Sequence, residues 1–190
     1  YFISPGQETS NKDIPASHHA GYIAGVIGAA HGTKRWPVTK WKEFCKNLRH
    51  PIILLGGPED RVRGDEIAAV DTVKVYNACG KFSLNESADL VKRSKLVITH
   101  DTGLMHIAAA FEKPIISLWG NTVPAFGMTP YFGADTRATV HNRDTGIMQV
   151  NKLWCRPCSK IGFDKCPLGH FKCMNRISVD EVISTVRKLL

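Results

Sequence analysis

The strongest candidate for chemistry is the stretch Leu96-Val-Ile-Thr-His-Asp101-Thr-Gly-Leu-Met-His106-Ile-Ala-Ala-Ala-Phe111. An apolar run ends in a tight polar turn, and a helix of small residues follows. Leu104, Ile107, Ala108 and Phe111 recur every three or four residues, the spacing of one helical face. Asp101 or Thr102 can cap that helix, and Gly103 lets a ligand approach the backbone closely. Free N–H groups at a helix N-terminus suit a phosphate or pyrophosphate. The bland reading of the same residues is a structural strand–turn–helix junction. Asp-Thr-Gly also occurs in aspartic proteases, which need a second carboxylate nearby. The second triplet, Asp144-Thr145-Gly146, follows a polar, basic stretch, and a helix follows Gly103, so the protease reading fails.

Two further loops carry chemistry at their tips. In Gly32-Thr33-Lys34-Arg35-Trp36-Pro37, Lys34 could reach a pyrophosphate as a mobile point charge, or be an ordinary surface lysine. The loop lacks Walker spacing, and no Gly-x-Gly-x-x-Gly fingerprint follows any apolar run, which weighs against a P-loop enzyme or a dehydrogenase. Glu59 and Asp60 follow Gly56-Gly57-Pro58, where a carboxylate could accept from ribose or sugar hydroxyls or cap a helix. His106, one turn into the phosphate-facing helix, could donate to an anion or pack quietly.

A third constellation is Cys155-x2-Cys158-x7-Cys166-x6-Cys173, with His170 inside it. Four cysteines at this spacing could hold zinc, together or three with the histidine. They could equally be free, redox-sensitive thiols or paired disulfides. Cys45 and Cys79 look like core residues.

These residues need elements to position them. Apolar runs at Tyr22–Ala30, Ile52–Leu55, Val73–Asn77, Leu96–Thr99 and Ile115–Leu118 read as strands. Between them, helical patterns cover Thr39–Leu48 (with Thr39 as N-cap), Asp65–Val70, Leu84–Arg93 and Gly103–Phe111, and Val179–Leu190 forms a last helix. Such alternation, with near-continuous apolar strands, predicts a Rossmann-like α/β fold, a parallel sheet with helices on both faces. Ligands bind beyond the carboxyl ends of such strands. Gly56-Gly57-Pro58-Glu59, Asp101-Thr102-Gly103 and Trp119-Gly120-Asn121 should therefore share one rim. After Gly120 the alternation fades. The expected organisation is a linker over residues 1–20, a Rossmann-like lobe over 21–150, and a basic, Cys-rich segment with a C-terminal helix over 151–190.

Bulk properties fit this picture. The chain of 190 residues is 43% hydrophobic and 22% charged, ordinary for a globular domain. No stretch approaches the roughly 20 apolar residues of a membrane span. The net charge of +8 is concentrated late in the chain: Lys152, Arg156, Lys160, Lys165, Lys172 and Arg176 face only Asp164, giving +5. That patch suits nucleic acid, anionic lipid or a phosphorylated substrate, or is merely solvated. It lacks the interleaved aromatics of a single-strand groove.

The run from His100 to His106 with its Ala-rich helix resembles the lipopolysaccharide heptosyltransferases of glycosyltransferase family nine. So do Lys34-x-Trp36-Pro37, Gly56-Gly57-Pro58-Glu59 and Cys166-Pro-Leu-Gly-His-Phe-Lys-Cys173. The resemblance covers residues 20–190 and implies the C-terminal, donor-binding lobe of a GT-B fold. It implies transfer with inversion of a sugar from a nucleotide-diphosphate donor, ADP-heptose, onto a lipid A–core acceptor. It places the pyrophosphate on the backbone of Thr102, Gly103 and Leu104 and gives its neutralisation to Lys34. Glu59 would contact the nucleoside, Asp101 the donor sugar, and His106 would support the anion site. No metal or other cofactor is implied, and no Asp-x-Asp motif is present.

The implied setting is the cytoplasmic face of the inner membrane, with peripheral membrane contact and no nucleic acid. Two departures stand out. Ala29-Ala30-His31 replaces hydroxyl residues that family members carry before the lysine loop. The general base is expected in an N-terminal lobe, so these residues alone should bind donor and fail to turn over. The alternatives are a non-catalytic nucleotide-binding or regulatory module, or a metal-organised nucleic-acid binder built on the cysteines.

Overall fold

The computed structural model describes residues 1–132 and 145–190. Six parallel strands form one sheet: β1 (Ile23–Val26), β2 (Ile52–Leu55), β3 (Val75–Asn77), β4 (Leu96–His100), β5 (Ile115–Trp119) and β6 (Thr145–Gln149), in the order β3-β2-β1-β4-β5-β6. The chain builds outward from β1 to one side, then crosses back to place β4 on the other. Helices α1 (Val38–Asn47), α2 (Arg61–Ala68) and α6 (Val179–Leu189) cover one face, and α3 (Leu84–Arg93) and α4 (Gly103–Ala110) cover the other. A one-turn helix, α5 (Lys172–Asn175), precedes α6.

Burial on both faces explains the unbroken apolar strands. In β2, Ile52 and Leu54 enter the core under α1 and α2, while Ile53 and Leu55 enter the core under α3 and α4. The first core centres on an aromatic cluster. Trp41 meets Trp36 edge-on at 5.4 Å and Phe44 at 5.9 Å between ring centres. The second is filled by Leu90, Val91, Met105 and Ala108.

The Rossmann-like parallel sheet expected from the alternation is therefore present, with differences at several boundaries. β1 stops at Val26 rather than Ala30, because Gly28–Ala30 leaves the sheet to line a cleft. Thr39 is not the N-cap of α1: the helix starts at Val38 behind Pro37, whose fixed φ sets the entry without a side-chain cap. α2 begins at Arg61, four residues early, because the turn Pro58–Asp60 runs straight into it. β6 was not foreseen. It is an edge strand with one buried residue, too mixed for an apolar-run criterion. Asp144, the first residue of the second Asp-Thr-Gly triplet, lies outside the described residues.

Residues 1–20 lie against this sheet. Thr9 gives its N–H and its hydroxyl to Asp89 at 3.0 and 2.5 Å. Ile14 enters the core, and His18 is buried with Nε2 3.1 Å from the carbonyls of Ile52 and Lys74.

Trp41 is fully buried between α1, Trp36, Phe44 and His100, so its removal leaves a large void. Trp41→Ala should cost about 3–5 kcal/mol. Urea unfolding reads this as a lowered midpoint, and an unchanged midpoint would refute the packing assignment.

Candidate functional site

The order of strands reverses between β1 and β4, so the loops leaving their carboxyl ends diverge and open a crevice. A cleft of about 350 Å³ lies there. Its walls are Gly28–Ala30 after β1, Gly56, Gly57, Glu59 and Asp60 after β2, and Thr102–Leu104 after β4, with Phe82, Leu84 and Ser87 from the start of α3. Two of the three loops expected on one rim meet in this cleft. The third, Trp119-Gly120-Asn121, lies behind it, where the Asn121 N–H reaches the Thr33 carbonyl at 3.5 Å.

The end of the cleft at α4 is built from backbone. Thr102 is the N-cap residue of α4 in extended conformation, and its hydroxyl makes no cap hydrogen bond. The N–H groups of Gly103 and Leu104 have no intrahelical acceptor and open on the cleft, where the helix dipole favours negative charge. At Gly103 a Cβ would meet no atom within 4 Å, so this backbone faces free space.

Beside it, Lys34 Nζ donates to Asp101 Oδ2 at 2.7 Å, with the two side chains only 14% and 11% exposed. Thr122 Oγ1 donates to the same carboxylate oxygen at 3.2 Å. Lys34 is thus tied to the residue just before Thr102, although neither Lys34 nor Asp101 is among the residues lining the cleft. An ammonium has three donors, so the pair leaves it capacity for an incoming phosphate.

The other end is acidic. Glu59 is exposed on the cleft wall and folds back over Gly57. Asp60 is buried, accepts the Gly57 N–H at 3.1 Å and lies 3.3 Å from Arg63. Gly28 passes so close to Asp60 that a Cβ would come within 2.3 Å of its carboxylate.

The structure therefore gathers Glu59, Thr102, Gly103 and Leu104 on one cleft, with the Lys34–Asp101 pair at its side. His106 is exposed on α4 and is not among the lining residues. Sequence reasoning missed Thr122, Phe82, Leu84 and Ser87. Only the Ser83-x-x-Glu86 capping box near α3 signalled where that helix begins.

The cysteine segment braces the site from outside. Thr33 and Phe163 are joined three times, N–H to carbonyl at 2.9 Å, hydroxyl to carbonyl at 2.9 Å and N–H to hydroxyl at 2.8 Å. The Arg156 guanidinium reaches the carbonyls of Gly120 at 2.6 Å and Thr122 at 2.9 Å. None of the six cysteines is in a disulfide. Burial, then the neighbouring thiols, raise the pKa values of Cys158 and Cys173, the latter to about 11, so both are protonated thiols at neutral pH. Cys155 Sγ approaches His170 Nε2 at 3.8 Å. Among the described residues, however, no three Cys, His, Asp or Glu side chains converge on a point that could hold a metal. Cys155, Cys158, Cys166 and Cys173, for which zinc is one of three readings, form no such group.

A six-stranded parallel sheet in this order, with a helix N-terminus and a lysine near its switch point, defines a Rossmann-like α/β lobe. The glycosyltransferase family 9 (heptosyltransferase) model matches residues 3–162, and the chain belongs to that family. Over 159 residues it is 35% identical to lipopolysaccharide heptosyltransferase 2 of Salmonella typhimurium, covering 79% of this chain and 44% of the relative. The chain thus spans about half the length of the curated relatives it matches.

Its fold is that of an Escherichia coli ADP-heptose lipopolysaccharide heptosyltransferase II structure (TM-score 0.69, 23% identity, 89% of this chain and 46% of that one). It also matches an Escherichia coli heptosyltransferase solved with ADP (TM-score 0.65, 20% identity, 94% and 47%). Among the described residues, no helix is long and apolar enough to cross a membrane.

His100, beside Asp101, has its pKa pushed down to about 4 by burial, with Arg35 and Arg63 adding to the effect against a Gly28 hydrogen bond. A base depressed on folding stabilises the protein above its unfolded pKa near 6.5, and that stability is lost as pH falls towards 4. Acidification through this window should remove roughly 3 kcal/mol. A His100→Gln variant should show a flatter fall of Tm between pH 6.5 and 4, and an identical fall would refute the linkage.

Proposed function

We propose that this chain is the donor-binding half of an inverting heptosyltransferase that takes ADP-heptose and delivers heptose to a lipopolysaccharide core acceptor. The observation that carries the reading is the start of α4 at the switch point, where Gly103 and Leu104 have N–H groups without intrahelical acceptors and Lys34 is paired with the preceding Asp101. Departure of a nucleoside diphosphate builds negative charge on the leaving oxygen. Preorganised N–H dipoles and a lysine stabilise that charge without reorganising. The diphosphate would lie on Thr102, Gly103 and Leu104, with Lys34 as its counter-charge. Glu59 would accept from the ribose, and Asp101 would meet sugar hydroxyls while holding Lys34. His106, one turn along α4, would support the anion from outside the cleft.

In this reading no divalent metal or other cofactor is needed. The general base belongs to the other lobe, so residues 21–150 bind donor without turnover. Residues 1–20 lead in from that lobe, and residues 151–190 brace the site. Two similar Escherichia coli structures, one of an ADP-heptose heptosyltransferase and one holding ADP, support the choice of donor.

Calorimetric titration with ADP, UDP, GDP and inorganic phosphate tests this. ADP should bind selectively. Lys34→Ala should weaken it about ten-fold or more, as loss of a charge-assisted contact does. Gly103→Val, whose Cβ meets no protein atom within 4 Å, should block binding in a folded chain. UDP or GDP selectivity would replace the donor, and binding insensitive to both variants would refute the site.

The acceptor is an amphiphile, and we propose peripheral contact at the cytoplasmic face of the inner membrane through the basic segment. There Lys152, Lys160 and Lys165 accompany Trp154, which is 86% exposed, and the exposed Ile161 and Leu168. Neutralising Lys160, Lys165 and Lys172 should weaken binding to phosphatidylglycerol vesicles and leave phosphatidylcholine vesicles unaffected. Unchanged binding would refute the contact.

A further inference from the structure

His100 ends β4, one residue before Asp101, and is completely buried. Its Nε2 accepts the Trp36 N–H at 2.8 Å. The ring proton therefore sits on Nδ1, which faces the Gly28 carbonyl at 3.4 Å. Gly28 and Trp36 are the two ends of the loop that carries Lys34. Within that loop, the Arg35 guanidinium donates twice to the Ala29 carbonyl, at 2.8 and 2.5 Å. Trp41 packs edge-on against the imidazole at 6.1 Å between ring centres, fixing its plane. One neutral ring thus ties both ends of the lysine loop to the strand that supplies the lysine's partner.

We propose that His100 is a positioning residue for donor binding. By accepting from Trp36 and donating to Gly28 it holds the loop so that the Lys34 ammonium stands beside the N–H groups of α4. The proposal rests on the donor-site reading above. It differs from a role in packing alone by a selective consequence. A general loss of packing weakens every ligand contact, whereas a loosened lysine loop acts chiefly on contacts to phosphate, with only Gly28–Ala30 of that loop lining the cleft. The walls that would face a nucleoside, Glu59, Phe82 and Leu84, come from other elements and stay in place.

The substitution His100→Leu keeps the volume and removes both hydrogen bonds, leaving the Trp36 N–H buried without an acceptor. His100→Gln restores an acceptor close to the position of Nε2. Binding of ADP and of adenosine is titrated for the unaltered chain, His100→Leu, His100→Gln, Lys34→Ala and the double variant His100→Leu/Lys34→Ala. Unfolding midpoints are recorded for each.

His100→Leu should weaken ADP about ten-fold, the scale of one lost buried hydrogen bond, and leave adenosine within about two-fold. His100→Gln should recover most of the ADP affinity. Adding Lys34→Ala to His100→Leu should cost much less than Lys34→Ala alone, because both changes remove the same contact. If His100→Leu does not fold, the same comparison is made on His100→Asn, which keeps a group towards Gly28 but withdraws the acceptor from Trp36.

Equal weakening of ADP and adenosine, or full additivity with Lys34→Ala, would overturn the positioning role and leave the donor site standing. An unaltered chain that binds no ADP would overturn both.

Discussion

The adjacency of β1 and β4 is the constraint on which the site depends. Parallel strands send all their carboxyl-terminal loops to one end of the sheet, and only where the order reverses do neighbouring loops part. Here Gly28–Ala30 departs one way and Asp101–Gly103 the other, and the space between them is the cleft. α4 begins at the mouth of that space, so its unsatisfied N–H groups point where a ligand can stand. A positive site of this kind needs a counter-charge when empty. Asp101 supplies it, 2.7 Å from Lys34 and little exposed. At such burial, desolvation offsets much of the Coulomb attraction. The value of the pair lies in keeping Lys34 placed rather than in net stability.

Two sets of contacts hold the lysine loop against the sheet, one from inside and one from outside. Inside, His100 ties Gly28 and Trp36 to β4, next to the aromatic cluster of Trp36, Trp41 and Phe44. Outside, Phe163 clasps Thr33, and Arg156 gathers the carbonyls that follow β5. Thr122 lies among those carbonyls and returns to Asp101. The cysteine segment is therefore part of the framework of the site. The Cys158 and Cys173 thiols are protonated, which suits a structural brace better than a reactive centre.

Periodicity in the sequence recovered what is buried on both faces or capped by a local motif. β2 and α3 fall on their expected bounds, the first because Ile52–Leu55 is wholly apolar, the second because Ser83 and Glu86 form a capping box. Elements with weaker local marks were displaced or lost. α1 starts one residue before the Thr39 cap because Pro37 dictates the turn, and β6 hides in an edge strand with a single buried residue. The free backbone at Thr102–Leu104 was legible because strand, turn and helix are contiguous. The Lys34–Asp101 pair, the Thr33–Phe163 clasp and the His100 tie join residues 67, 130 and 64 positions apart. Nothing in local spacing announces such contacts. Cysteine spacing left zinc, thiols and disulfides open for the same reason: it sets how far the side chains can reach, not whether they converge.

The cleft is polar in two senses, and this narrows the ligands that fit it. One wall ends in helix N–H groups beside Lys34, which favour an anion, and another carries Glu59 and Asp60, which repel one. Inorganic phosphate would satisfy the first and gain nothing from the second. A ligand with hydroxyl donors at one end and charge at the other satisfies both. Phe82 and Leu84 add an apolar wall against which a flat base could lie. Asp60 is already engaged by the Gly57 N–H and Arg63, so the free carboxylate on that side is Glu59. A nucleoside diphosphate has this sequence of groups, base, ribose hydroxyls and diphosphate, in an order that can follow the cleft from α3 to α4. On the donor reading proposed above, the arrangement would favour the whole donor over its charge alone.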